Sequence, residues 1–280
     1  MEGKYLQGRS AWITGGATGM GRACALALAE AGADVAIGSL TARVRNPDVR
    51  GEAALVLDDG ELEATGREIE SRNVKALALP LNVCSDESCA MFFEATVKAF
   101  GKVDILVNAA GGSAHHPMID HPDELWLRTL DVNLNGPYRT TKLCFPGMVE
   151  RRWGRIVNLA TTGARVGHEG HAAMCSSKTG LLGLTRCVAL EGARHGVTCN
   201  AINPGSVKTP HVVRVALPNK IAMLGIDRSL EDYLDDTMKT VPQNRWIEAE
   251  EIGAFAAFLC SEGARGITGE DIQISGGGHW

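Results

Sequence analysis

Several things are scarce in this chain of 280 residues. Aromatic residues make up only 5% of it, and three of them are tyrosines (Tyr5, Tyr138 and Tyr233), so chemistry that needs a phenol has few places to draw on. No apolar run approaches the roughly 18 residues of a membrane span, and the opening Met1 to Ser10 lacks the apolar stretch of a signal peptide. Neither sign of charge dominates: Lys and Arg number 28 against 33 Asp and Glu, interspersed, which leaves no footprint for nucleic acid or an anionic membrane. The eight cysteines include no C-x-x-C pair and no regular spacing, which argues against a disulfide framework or a zinc site and for reduced core thiols. A soluble, cytoplasmic protein with a small-molecule partner and no metal is expected.

What is present is a large apolar fraction, 45%, in a length that buries a core without staples. Short runs rich in Val and Ile alternate with longer helix-like segments, as in a parallel sheet covered on both faces. Strands are expected at 11–14, 34–38, 76–81, 105–108, 155–159, 198–202 and 271–274. The expected fold is α/β, a doubly wound, seven-stranded parallel sheet in a single domain over 1–280. Residues 41–59, with Pro47, Gly51 and several charges, are longer than a usual connection and form a surface insertion, either a decorated loop or a flap over one end of a ligand.

The first strand runs into Thr14-Gly15-Gly16-Ala17-Thr18-Gly19-Met20-Gly21 and then an Ala-rich helix. Glycines there allow a tight turn and close backbone approach to a diphosphate, while the helix N-terminus offers unpaired N–H groups and a favourable dipole. The context of strand, glycine cluster and helix is the one in which such a motif binds a dinucleotide.

With the spacing T-G-x-x-x-G-x-G, Asn108-Ala109-Ala110-Gly111 after the fourth strand, and Asn203-Pro204-Gly205 after the sixth, the chain resembles the short-chain dehydrogenase/reductase family, classical type, from about Gly8 to Gly278. The resemblance implies a Rossmann-like fold and a nicotinamide cofactor. By it, Gly15, Thr18, Gly19, Met20 and Gly21 cradle the diphosphate, Asn82 and Val83 border the adenine, and Asn108, Ala109 and Gly111 line the floor. Pro204, Gly205, Val207 and Thr209 hold the nicotinamide end. The family more often has Asp where this chain has Asn82.

The choice of cofactor turns on the end of the second strand, where a carboxylate would bind a ribose 2′-hydroxyl and repel a 2′-phosphate. Ser39 stands there, and with Arg43 and Arg45 close behind, NADP(H) is favoured over NAD(H); the alternative is that both arginines point to water.

The family catalyses hydride transfer with Asn, Ser, Tyr and Lys. Asn133 and Lys178 match its Asn and Lys, and Thr161 matches its Ser with the same hydrogen-bonding repertoire. Four residues before Lys178, where the Tyr belongs, the sequence reads Met174. A thioether has no proton to give. Tyr138 also stands four before a lysine, Lys142, but no hydroxyl-bearing strand end precedes it.

A substitute donor is sought in Gly167-His168-Glu169-Gly170-His171, with His171 first and His168 second; the alternative is a pair of surface histidines. An iminium or an activated alkene would need no proton on oxygen at all. Residues 210–246, with many apolar side chains, are expected to form a substrate lid favouring a hydrophobic or ring-containing molecule. The readings that result are an oxidoreductase acting on a carbonyl, a secondary alcohol or an activated C=C or C=N bond, or else an NADP-binding sensor or silent partner subunit. Either is expected to form a homodimer or homotetramer.

Overall fold

A computed structural model of the chain describes residues 3–44, 56–112, 115–225, 227 and 229–278. Seven strands form one sheet: β1 (Ser10–Thr14), β2 (Asp34–Ser39), β3 (Ala76–Pro80), β4 (Ile105–Asn108), β5 (Gly154–Leu159), β6 (Val197–Pro204) and β7 (Asp271–Ile274). Their order is β3-β2-β1-β4-β5-β6-β7 and every pairing is parallel. All seven lie where the apolar runs place them, two of them end to end and the others with ends displaced by at most two residues.

Alternation along the strands divides the core. Ile13, Ile37, Val107 and Val157 face one layer with α1 (Gly19–Glu30), α2 (Asp59–Glu70) and α9 (Ala249–Leu259). Their neighbours Trp12, Ala36, Leu106 and Ile156 face the other, with α3 (Asp86–Phe100), α5 (Gly136–Glu150) and α6 (Ala172–Ala193). Because strands covered on both faces have no polar side, these segments read as continuous hydrophobic runs. The α1 and α9 helices approach so closely that a Cβ on Gly253 would lie 2.4 Å from the Ala23 carbonyl oxygen.

The order reverses between β1 and β4, which opens a crevice beyond the carboxyl ends of the strands, the usual ligand site in open α/β sheets. Three further segments border it: α4 (Asp123–Leu130), which passes through a π-helical turn (Asp131–Asn135) into α5, and α7 (Leu217–Leu224) and α8 (Leu230–Lys239), which lie within the expected lid. Of the 41–59 insertion, residues 45–55, including Arg45, Pro47 and Gly51, lie outside the described residues. Among the described residues no helix is long and apolar enough to cross a membrane.

Candidate active site

The turn after β1 is built by backbone constraint. Gly15 and Gly19 have φ of +66° and +52°, the left-handed region that favours glycine. A Cβ on Gly15 would lie 2.9 Å from the backbone of Ala110, and one on Gly21 would lie 2.1 Å from the Gly15 carbonyl oxygen. The hydroxyl oxygen of Thr14 accepts from Ala109 N at 3.1 Å and Ala110 N at 3.0 Å, which ties this turn to the end of β4. Thr18, at the N-cap of α1, makes no side-chain capping bond. The first N–H groups of the helix thus face a cradle shaped for a diphosphate.

That cradle opens into a cleft of about 1320 Å³. Every residue expected at the cofactor lines it except Asn108. The Asn108 amide is instead spent inside the protein, donating to Asn158 Oδ1 at 2.8 Å and accepting from the Thr140 hydroxyl at 2.6 Å. It holds β4, β5 and α5 together beneath the floor. Ser39 lines the cleft while its hydroxyl oxygen accepts from Ala17 N at 3.1 Å. Arg43 reaches the same end, with Nε 2.8 Å from Asp59 Oδ2.

At the opposite end, Thr161, Met174 and Lys178 share the cleft wall. Lys178 is 8% exposed and donates from Nζ to the Leu159 carbonyl at 2.7 Å; burial lowers its pKa to about 8. Thr161 accepts from Gly163 N at 3.3 Å. The methyl carbon of Met174 lies 3.4 Å from where a Cβ on Gly163 would stand, with His168 Cδ2 at 3.1 Å and Cys175 Sγ at 3.3 Å from the same point.

Asn133 is fully buried and does not line the cleft. The π-helical turn aims its amide at Gly112, accepting from Gly112 N and donating to Gly112 O, each at 3.0 Å, with a further bond to the Ser177 hydroxyl at 3.1 Å. It fixes the chain after β4 rather than presenting a group to a ligand. A Cβ on Gly111 would lie 3.2 Å from Asn133 Oδ1 and 3.5 Å from Lys178 Nζ, so the floor passes directly over both.

The histidines correct an expectation. His171 is the N-cap of α6, with Nδ1 3.0 Å from the Glu169 carbonyl and its ring 5.0 Å from that of His115. Neither His171 nor His168 lines the main cleft; His168 and His115 border a second hollow of about 410 Å³. The loop folds back because His116 N donates to Gly170 O at 2.7 Å, and His115 packs onto Gly170. Tyr138 is half exposed on α5, away from the cleft, with the Lys142 ammonium 5.8 Å from its ring. Among the described residues no group of His, Cys, Asp and Glu is arranged to hold a metal ion.

Sequence reasoning missed His211. It lines the cleft at the start of the segment expected to form a lid, and both ring nitrogens are buried without a hydrogen-bond partner among the described residues. Burial holds its pKa below the ordinary value. Its signal was its place two residues after Thr209, within reach of the strand end. Residues 210–246 otherwise give the cleft Val212, Ala216, Leu217, Thr237 and Trp246, mostly apolar surface.

Comparison with known proteins agrees with this arrangement. Residues 15–279 match the protein family described as enoyl-(acyl carrier protein) reductase. The chain is 34% identical to an uncharacterized oxidoreductase, YxjF, of Bacillus subtilis, covering 95% of this chain and 96% of that one. It is 31% identical to the 3-oxoacyl-acyl-carrier-protein reductase FabG of Pseudomonas aeruginosa, covering 97% and 98%. Among solved structures, an actinorhodin polyketide ketoreductase variant with NADPH superimposes with a TM-score of 0.85 at 32% identity, over 97% of this chain and 98% of that one.

Proposed function

Because the chain belongs to the short-chain dehydrogenase/reductase family, we propose that it is an NADP(H)-dependent oxidoreductase acting on a carbonyl, or on an activated C=C or C=N bond, of a hydrophobic small molecule. One observation carries this reading: a single cleft runs from the glycine turn of α1 to Lys178, Thr161 and the apolar lid. The cradle at Gly15 and Gly21, which a Cβ would fill, fits a dinucleotide. The bound cofactor supplies the hydride. Gly15, Thr18, Gly19, Met20 and Gly21 would hold its diphosphate, Asn82 and Val83 border the base, and Pro204, Gly205, Val207 and Thr209 flank the nicotinamide end. Absence of an acid beside Ser39, with Arg43 in the same wall, supports NADP(H). FabG and the ketoreductase support the carbonyl as the reacting group.

Met174 occupies the position of the family's proton-donating Tyr in this reading. Lys178, with its lowered pKa, and Thr161 are then the polar groups that meet the reacting atoms. A group that accepts hydride at carbon without simultaneous protonation at oxygen suits this wall best, its proton coming from water entering the cleft. Exposed Tyr138 and Leu190 on α5 and α6, outside the cleft, support a homodimer or homotetramer.

Met174 also favours a second reading, a cofactor-holding sensor or silent partner subunit. Consumption of NADPH and NADH by the purified protein against cyclic and aromatic ketones, enones and imines tests both. Turnover supports the enzyme; tight NADPH binding with no turnover across the panel moves the protein to the second reading.

A further inference from the structure

The chain leaving β2 is pinned at three points, and one pin comes from a neighbouring strand end. Thr41 to Val44 close a four-residue turn in which Val44 N donates to Thr41 O at 3.2 Å, and Arg43 is its third residue. Thr41 forms an isolated bridge with Leu57, and Leu57 N donates to Leu40 O at 3.1 Å. The Arg43 guanidinium meets Asp59. The last pin is Asn82, just beyond β3, whose Nδ2 donates to the Val44 carbonyl at 3.2 Å.

The amide chemistry at Asn82 is specific. Its Oδ1 accepts from Cys84 N at 3.0 Å while its Nδ2 serves Val44, so the position needs one acceptor and one donor. An ionised carboxylate has acceptors only and would face the Val44 carbonyl lone pair to lone pair. Arg43 itself is largely exposed, with a single carboxylate partner among the described residues, so the backbone of its turn decides where the guanidinium stands.

We propose that Asn82 is a positioning residue for cofactor choice: it fixes the turn that presents Arg43 to the 2′-phosphate of NADP(H). This rests on the NADP(H) reading above. A phosphate carrying nearly two negative charges accepts charge-assisted hydrogen bonds that a ribose hydroxyl cannot match, and it draws Arg43 from Asp59. The selectivity so gained depends on the turn being held in place before the cofactor arrives.

Fluorescence titration of NADPH and NADH tests the proposal without any substrate, using the parent chain, Asn82→Asp, Asn82→Ala, Arg43→Ala and the double variant Asn82→Ala/Arg43→Ala. The parent prefers NADPH, and either Asn82 variant lowers the ratio of the two Kd values roughly five- to tenfold, about the value of one hydrogen bond. In the Arg43→Ala background, Asn82→Ala lowers it no further, as two residues acting through one contact require. An unchanged ratio in both Asn82 variants, or an equal loss with and without Arg43, overturns the proposal and leaves the cofactor reading standing. A parent chain with no preference for NADPH removes the cofactor reading and the proposal with it. Asn82→Asp keeps the acceptor for Cys84 N, so it serves where Asn82→Ala fails to fold.

Discussion

Met174 and Lys178 stand one turn apart on α6 and line the same cleft, but only the lysine carries a proton. Residues four apart lie on the same helical face, so a phenol at 174 would share the cleft wall with the Lys178 ammonium, whose charge would lower its pKa.

Met174→Tyr is therefore expected to raise ketone reduction by about 10²- to 10⁴-fold, the usual worth of a positioned general acid. Steady-state NADPH oxidation with a cyclic ketone measures it. An unchanged rate in a variant that still binds NADPH means that position 174 does not meet the reacting oxygen.

The strands and the glycine turn were legible because both rest on local rules: buried parallel strands are continuous apolar runs, and a left-handed φ selects glycine. Side-chain direction was less legible. Asn108 and Asn133 read as cofactor-floor and catalytic residues, and the structure turns both amides onto protein partners. His171 read as a proton donor, but the bond between His116 N and Gly170 O folds its loop toward His115. His211 went unread because no periodicity marks a polar side chain that the fold buries in the cleft wall without a hydrogen-bond partner among the described residues.

The histidine pair has a consequence for acid stability. Burial is the largest cause lowering the pKa of both His115 and His171, and nearby Lys220 lowers each further. With folded pKa values below the unfolded value of 6.5, the unfolded chain takes up protons first as pH falls. Stability from the pair is full above that value and is lost as pH drops below it. The melting temperature is expected to fall between pH 7 and pH 5, and less steeply in His115→Gln/His171→Gln. His171→Ala should cost far less than the 10²-fold or more expected for removal of a general acid. A loss of that size would return His171 to the reaction.

Lys178 works in the same direction in an alkaline window. Its pKa is about 8 in the folded chain against 10.5 ordinarily, with burial as the cause. Between these values the unfolded chain binds more protons than the folded one, so stability rises with pH across the interval. Below pH 8 the buried ammonium is charged in both states and its desolvation cost is fully present, roughly 3 kcal/mol for a shift of this size. Lys178→Met removes the charge and keeps an unbranched apolar stem. The variant is expected to be more stable than the parent at pH 7, by up to that amount, and the gap should close as pH approaches 10. The Leu159 carbonyl loses its donor in the variant, which offsets part of the gain. Urea denaturation of both proteins from pH 7 to pH 10 measures the difference directly and cancels the other groups that titrate there. Parallel curves would mean that the lysine reaches water and is not held below its ordinary value, and that result would end its assignment as a buried charged group held ready in the cleft wall.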